Sequence, residues 1–294
     1  MKVRFIANPT AGGVNRVGEL TESIRRVLGA EAGFFEVKVT TEKGGAGTFA
    51  REAVLEGYDV VVACGGDGTI NEVATALVGT SVALAIVPLG SGNGLALSLG
   101  IPLEIDGAVA KLKEPHRRLK MDVGKVCGRH FFSTAGFGFD ALLAKKYNEG
   151  SLSARVRGIL PYIPIAIKEF YRYSPEEVEI VIGNRHIEVT PFILTVANVP
   201  RFGGNAIIAP DAKPDDGLLD LVIVPEVGLK KSYQLTNKLM KGQIDSFKGY
   251  QCIRAEEIEI RRETSAMVHA DGEPFDWQGS IHIRVLRSAL NVLI

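Results

Sequence analysis

Cysteine is scarce: the 294 residues hold three, Cys64, Cys127 and Cys252. They are odd in number and far apart, which fits neither a disulfide framework nor a CxxC metal pair, so they are expected to be reduced and buried. Tryptophan occurs once, at Trp277, and a lone indole makes no binding platform. Neither sign of charge is in excess, since 34 Lys plus Arg meet 34 Asp plus Glu. No net field then draws the whole protein to nucleic acid or to an anionic membrane, no nucleic-acid partner is expected, and any basic patch is local. Long apolar runs are missing as well. No window offers the roughly 18 uncharged apolar residues of a membrane-spanning helix. The start MKVRFIANP runs into a strand-like segment without the pattern of a signal peptide, so the expected compartment is the cytoplasm.

Other absences narrow the chemistry. None of His116, His130, His186, His269 and His282 forms an i,i+4 pair or sits beside a cysteine, which argues against a zinc centre and leaves surface or strand roles. There is no Gly-x-Ser-x-Gly elbow to supply a nucleophilic serine; residues 133–138 read instead as a strand end near an acceptor pocket. No Gly-Lys-Ser/Thr occurs, so a Walker-type phosphate loop is excluded. No repeat, low-complexity stretch or flexible linker is evident.

What is present is an ordinary globular composition, 46% hydrophobic and 23% charged. The chain exceeds the size at which one core stops growing, so two domains sharing a cleft are expected. Over the first 100 residues, β-branched runs at 3–7, 35–40, 60–64 and 82–87 alternate with helical periods, the pattern of a parallel sheet covered by helices on both faces. Between the first two runs, Leu20, Ile24, Val27 and Leu28 form one apolar helix face. After residue 117 the rhythm changes to short strands at 120–126, 130–134, 178–181, 187–197 and 219–224, which read as a mainly antiparallel β domain. A helical interruption spans 138–173, bent by Pro161 and Pro164, and a further helix is expected at 230–241. The division follows: an α/β nucleotide-binding domain over 1–118, to which about 284–294 return, and a β-rich acceptor-binding domain over 119–283.

The chemistry concentrates after the third strand. Val60-Val61-Val62-Ala63-Cys64 runs into Gly65-Gly66-Asp67-Gly68-Thr69-Ile70-Asn71-Glu72, which then takes helical period. Three glycines make a tight strand-to-helix turn with bare backbone amides, which phosphate oxygens approach easily at a helix N-terminus. Asp67 would then bind Mg²⁺, a ribose or a phosphate-linked water, and Thr69 could donate a hydroxyl hydrogen bond. The bland alternative is a β-turn and N-cap. Company weighs against it. Asn8-Pro9-Thr10-Ala11-Gly12-Gly13, Thr40-Thr41-Glu42-Lys43-Gly44-Gly45 and Pro88-Leu89-Gly90-Ser91-Gly92-Asn93-Gly94 follow the other three strands. Ligands of open α/β sheets sit beyond these carboxyl ends.

These motifs, with Pro210-Asp211-Ala212, Asp215-Asp216-Gly217 and Asp271-Gly272-Glu273, resemble in order and spacing the diacylglycerol kinase catalytic family, which includes soluble bacterial lipid kinases and the sphingoid-base kinases. The resemblance spans nearly the whole chain, although the GGDG core is shared with NAD kinases and phosphofructokinases. It implies that Asn8, Thr40, Gly66, Asp67, Gly68, Thr69, Ile70, Asn71, Glu72 and Ser91 contact ATP. It also implies that Glu273 is the general base on a lipid hydroxyl, positioned by Asp271 and Gly272, with Asp67 beside it in catalysis. A Mg²⁺ site is implied at the Lys213 carbonyl, the Asp216 carboxylate and the Leu218 carbonyl. Acidic surface turns are the alternative at both places. Many bacterial members carry Gly-Thr-Ala-Asn-Asp after the fourth strand, whereas Gly90-Ser91-Gly92-Asn93-Gly94 keeps the hydroxyl and lacks the acid.

The expected activity is therefore transfer of the γ-phosphoryl group of ATP to diacylglycerol. A sphingoid base, NAD and a non-catalytic nucleotide-binding role follow in that order. Transient contact with a membrane surface is expected, with the apolar and basic segment 151–173 either resting on lipid or packed in the core. A homodimer is left open.

Overall fold

The computed structural model describes residues 1–13, 15–29, 34–113, 117–149, 169, 173–225 and 227–294. The expected helical stretch around Pro161 and Pro164, the basic positions Arg155, Arg157, Lys168 and Arg172, and His116 lie outside the described residues. The chain forms two units, Met1–Met121 with Arg287–Ile294, and Asp122–Leu286.

In the first unit the elements alternate: β1 (Lys2–Ala7), α1 (Val17–Leu28), β2 (Phe34–Val39), α2 (Gly45–Leu55), β3 (Val60–Gly65), α3 (Asp67–Leu77), β4 (Ala83–Pro88), α4 (Gly94–Ser98) and α5 (Ile105–Ala110). All neighbouring strands are parallel in the order β2-β1-β3-β4, and Asn291 and Val292 of the last strand continue the sheet beside β4. Every residue of β3 and β4 is buried, as the unbroken runs VVVACG and ALAIVP require of strands covered on both sides. The helix α1 turns Leu20, Ile24 and Leu28 inward and packs against α5, while α2 packs against α3. Because β2 and β3 leave β1 in opposite directions, the sheet has its switch point between β1 and β3, which opens a crevice at their carboxyl ends.

One charged group sits in this core. Arg4, 2% exposed, reaches Glu36 and Glu56 at 2.7 Å each and lies over the Tyr58 ring. Burial alone would raise Glu36, but hydrogen bonds from Lys38, Tyr58 and Arg4 overcome it and hold the carboxyl at about 2. A depressed carboxyl stabilises the fold above its unfolded value of 4.5 and loses that contribution as pH falls through the folded value. Thermal melts are therefore expected to lose about 1–2 kcal/mol of stability between pH 4.5 and 2 in the wild type relative to Glu36→Gln. Parallel pH curves for the two proteins would overturn this.

The second unit is built on β5 (Arg118–Val126), which enters from the first, followed by β6 (Arg129–Phe131), β7 (Thr134–Gly136) and α6 (Phe139–Glu149). Then come β8 (Val178–Ile182), β9 (Arg185–Val189), β10 (Pro191–Ala197), β11 (Arg201–Gly203), β12 (Ala206–Ile207), β13 (Leu219–Pro225) and α7 (Leu229–Lys241). The chain closes with β14 (Gln251–Ala255), β15 (Glu257–Arg261), β16 (Ala266–Ala270), β17 (Glu273–Trp277) and the long β18 (Ile281–Leu293). Its main sheet runs β14-β13-β10-β7-β16-β17, all antiparallel where registered, and faces a second sheet in which β18, β15, β8 and β9 pair in turn. Side chains alternate along β13 and, from Ile193 onward, along β10, where an irregularity between Pro191 and Ile193 puts Phe192 on the same side as Ile193. Leu194, Val196, Leu219, Leu221 and Ile223 fill the space between the sheets, while Ile193, Ala197, Val222 and Val224 face a second core capped by Leu235 of α7. The α/β plus antiparallel β architecture matches the sequence reading.

Two strand readings change. The run 130–134 is divided between β6 and β7, which belong to different sheets, because a side chain from elsewhere takes the amides of residues 132–134. The run 187–197 is likewise broken between β9 and β10; Pro191, which has no N–H to give a ladder, starts the new strand.

Candidate functional site

At the switch point of the first unit, side chains tie the loops together. The Asn8 amide donates to Thr69 Oγ1 at 3.1 Å, its Oδ1 accepts from the Thr10 hydroxyl at 2.8 Å, and Leu89 N donates to Gly65 O at 2.8 Å. Thr40 N donates to Ala7 O at 2.9 Å, and Thr40 is buried with its hydroxyl 3.5 Å from the same carbonyl. Glycine is demanded here by close approach rather than by a left-handed backbone. A Cβ on Gly90 would stand 2.5 Å from the Gly66 Cα, and one on Gly92 would stand 2.8 Å from Asp67 Oδ2. Above Gly68, by contrast, nothing lies within 4 Å of a Cβ. The α3 N-terminus thus opens onto free space, flanked by the exposed Ser91. That is the setting in which backbone amides and the helix dipole hold phosphate.

Two residues assigned to the nucleotide are committed to the fold. Ile70 is 1% exposed and its amide donates to Gly66 O at 3.0 Å. Glu72 accepts from Gly44 N at 3.0 Å and Ala46 N at 3.2 Å, so it caps the start of α2, which has no side-chain cap of its own. Glu72→Ala is expected to lower stability by about 1–2 kcal/mol in denaturant titrations. A loss confined to nucleotide affinity, at unchanged stability, would show that capping is not its role.

In the second unit the corner between β16 and β17 carries Glu273. Asp271 and Gly272 both adopt positive φ, 48° and 81°, the type I′ pair that Asp-Gly favours. The Asp271 carboxylate accepts from Phe132 N at 2.8 Å, Ser133 N at 2.7 Å and Thr134 N at 3.1 Å, and Asp271 N donates to Thr134 O at 2.8 Å. Ser133 and Thr134, at the start of the stretch 133–138, therefore do more than end a strand: with Phe132 their amides hold the acidic corner. Glu273 itself, first residue of β17, stays exposed. Beneath the corner a buried polar chain continues through Asn198, whose Nδ2 reaches Phe132 O at 3.1 Å and Asp122 O at 2.9 Å. Asp122 Oδ2 accepts from Gly217 N at 2.6 Å.

Lys213, Asp216 and Leu218 lie in the turn before β13. Oxygen ligands in such a turn suit a hard cation. Here, however, Asp216 accepts from Leu218 N at 3.1 Å and pairs with the Arg254 guanidinium, which neutralises the one carboxylate of the set. Among the described residues no cluster of three His, Cys, Asp or Glu side chains is placed to hold a metal ion. The donors as folded do not fit a bound cation. Neighbouring Asp220 is raised by burial, against hydrogen bonding from Cys252 and the charge of Arg254.

A cavity of about 310 Å³ lies within the second unit, lined by Phe137, Leu142, Leu194, Met267 and Ile281 among others. Arg262, also on its wall, has a buried Nε with no hydrogen-bond partner. Asp276 borders the cavity three residues along β17 from Glu273, about 10 Å at the rise of a strand. Sequence reasoning missed this Arg, and it missed Asp122, Asp140 and Asn198. Nothing local marks Asp122 and Asn198, since both act on backbone far away in the chain.

A parallel α/β unit with glycine-lined loops at its switch point, in one chain with a β-sandwich bearing a fixed carboxylate corner, is the architecture of a two-domain kinase. The diacylglycerol kinase catalytic domain model matches residues 2–126, and the YegS C-terminal NAD kinase beta sandwich-like domain model matches residues 133–294. The chain is 34% identical to "Probable lipid kinase YegS-like" of Chromohalobacter salexigens over 87% of its length and 82% of that protein. It is 28% identical to a diacylglycerol kinase of Bacillus subtilis, over 92% and 89% respectively. A solved structure from Bacillus anthracis superposes with a TM-score of 0.83 at 25% identity, covering 99% of this chain and 94% of that one. The chain belongs to the diacylglycerol kinase catalytic family of lipid kinases and is a phosphotransferase acting on an alcohol group. Among the described residues no helix is long and apolar enough to cross a membrane.

Proposed function

We propose that the protein transfers the γ-phosphoryl group of ATP, supplied as its Mg²⁺ complex, to the hydroxyl of a lipid, with diacylglycerol the first acceptor and a sphingoid base the second. The observation that carries this is the corner before Glu273: three backbone amides hold the Asp271 carboxylate, and two left-handed residues shape the turn from which the exposed Glu273 follows. A surface turn needs none of that. In the reaction Glu273 takes the proton of the acceptor hydroxyl and its oxygen bonds to Pγ. The bond from Pγ to the β,γ-bridging oxygen breaks, and ADP leaves. The amides at the start of α3, with Asn8, Asp67, Thr69 and Ser91, hold the phosphates, since phosphoryl transfer is largely positioning and charge stabilisation.

The cavity, lined by Phe137, Leu142 and Ile281 but also by Glu176, Arg262 and Asp276, offers an acceptor both apolar and polar contacts. It is large enough for part of an acyl chain, and it shares the β16–β17 hairpin with Glu273. The protein works in the cytoplasm and touches the membrane surface only to collect its substrate. Incubation with [γ-³²P]ATP and a total lipid extract is expected to label phosphatidic acid. A labelled sphingoid phosphate would move the acceptor to second choice, label on NAD would make the protein an NAD kinase, and no product from any acceptor would leave a nucleotide-binding module.

A further inference from the structure

The two backbone amides of the Asp271, Gly272 corner are both held, and by different means. Asp271 N donates to a backbone carbonyl, whereas Gly272 N donates to Nδ1 of His269 at 3.3 Å. A backbone N–H can only donate, so Nδ1 carries the lone pair and the ring proton sits on Nε2. That nitrogen faces Asp140 Oδ2 at 3.4 Å. Asp140 is fixed in turn: its Oδ2 accepts from the Thr195 hydroxyl at 2.6 Å and its Oδ1 from Gly138 N at 3.0 Å. The ring is 3% exposed. It lies against Gly136, where a Cβ would stand 1.8 Å from Asp140 Oδ2 and 2.4 Å from His269 Nε2, so only glycine there leaves room for the pair.

We infer that His269 is a positioning residue for Glu273: through Nδ1 it fixes the Gly272 amide, and so sets where the next residue presents its carboxylate. The inference rests on the reading of Glu273 as the base. The need for it follows from the exposure of Glu273. A general base works within hydrogen-bond reach of the hydroxyl it deprotonates, and a displacement near 1 Å can cost about 100-fold in rate. Packing alone would be served by any apolar side chain of this size. What histidine adds is an acceptor at Nδ1, with Nε2 anchored by a carboxylate that is itself tied to β10 and to the start of α6.

His269→Leu keeps the bulk and removes the acceptor, whereas His269→Asn restores an acceptor close to Nδ1 while giving up the Asp140 contact. In His269→Leu, kcat is expected to fall about 10- to 100-fold with KM for ATP and lipid within about twofold. Exchange of the Gly272 amide with deuterium should quicken by about tenfold or more. His269→Asn should recover most of both. On a Glu273→Gln background, His269→Leu should subtract little further from kcat, because the group it positions is gone. Losses that multiply on that background, or a fall in kcat that tracks melting temperature and is not recovered by Asn, overturn the inference. Unchanged Gly272 exchange in His269→Leu overturns it as well. Full turnover by Glu273→Gln alone would instead remove the reading of the base, whatever the exchange data show.

Discussion

Glu273→Gln is expected to lower kcat by about 100- to 1,000-fold while leaving the affinity for ATP and the melting temperature unchanged. Glutamine keeps the length and much of the hydrogen bonding of the side chain but cannot take up a proton. General bases contribute roughly 10²–10⁴ in rate. The lower part of that range applies because phosphoryl transfer asks the protein more for positioning than for proton removal. Stability should hold because Glu273 is exposed, and surface replacements stay within about 0.5 kcal/mol. ATP affinity should hold because the glycine loops belong to the other unit. Single-turnover kinetics with diacylglycerol, beside a nucleotide-binding titration, measure both quantities. Turnover within about threefold of wild type would remove Glu273 from the chemistry.

That residue was visible in the sequence through its Asp-Gly neighbours, yet the reason it is held was not. The type I′ turn is local, and Asp271 followed by Gly272 announces it. The three amides that fix the Asp271 carboxylate lie 137 to 139 positions earlier, inside the run 130–134, whose two phenylalanines and threonine suit a single strand. His269 likewise looks like any strand residue until Asp140 is brought to it. The first unit was more legible, because its strands β3 and β4 are buried on both faces and so form unbroken apolar runs. Charged strands were the hardest to see. In β15, Glu257–Arg261, only Ile258 and Ile260 point inward, and although the charges between them mark a period of two, five residues are a short span in which to read it. At the glycine loops the sequence did not show that Glu72 caps α2 or that Ile70 is buried beneath the turn.

Gly90→Ala should be the most damaging small substitution in the first unit. The added methyl would stand 2.5 Å from the Gly66 Cα, 2.9 Å from Asn93 Oδ1 and 3.4 Å from Gly66 N. Carbon atoms in contact sit near 3.5–4.0 Å, so the gap must open by about 1 Å or more. The first of these obstacles is main chain, which cannot swing aside as a flexible side chain would. The β4 loop has to move away from the start of α3, breaking the set of amides and hydroxyls at the switch point. Overpacking of this kind costs about 1–3 kcal/mol, and displacement of the phosphate-binding amides should weaken ATP binding by about 10- to 100-fold. Gly68→Ala separates the two effects. A Cβ there meets nothing within 4 Å, and alanine suits the first turn of a helix, so stability should hold or rise. If the phosphates occupy the open space above Gly68, that variant too should lose ATP affinity, now without any loss of stability. Calorimetric titration of ATP and a denaturant curve for each variant decide the matter. Were Gly68→Ala to bind ATP as tightly as wild type, the phosphates would lie elsewhere on the unit, and the role given to the α3 amides would fall.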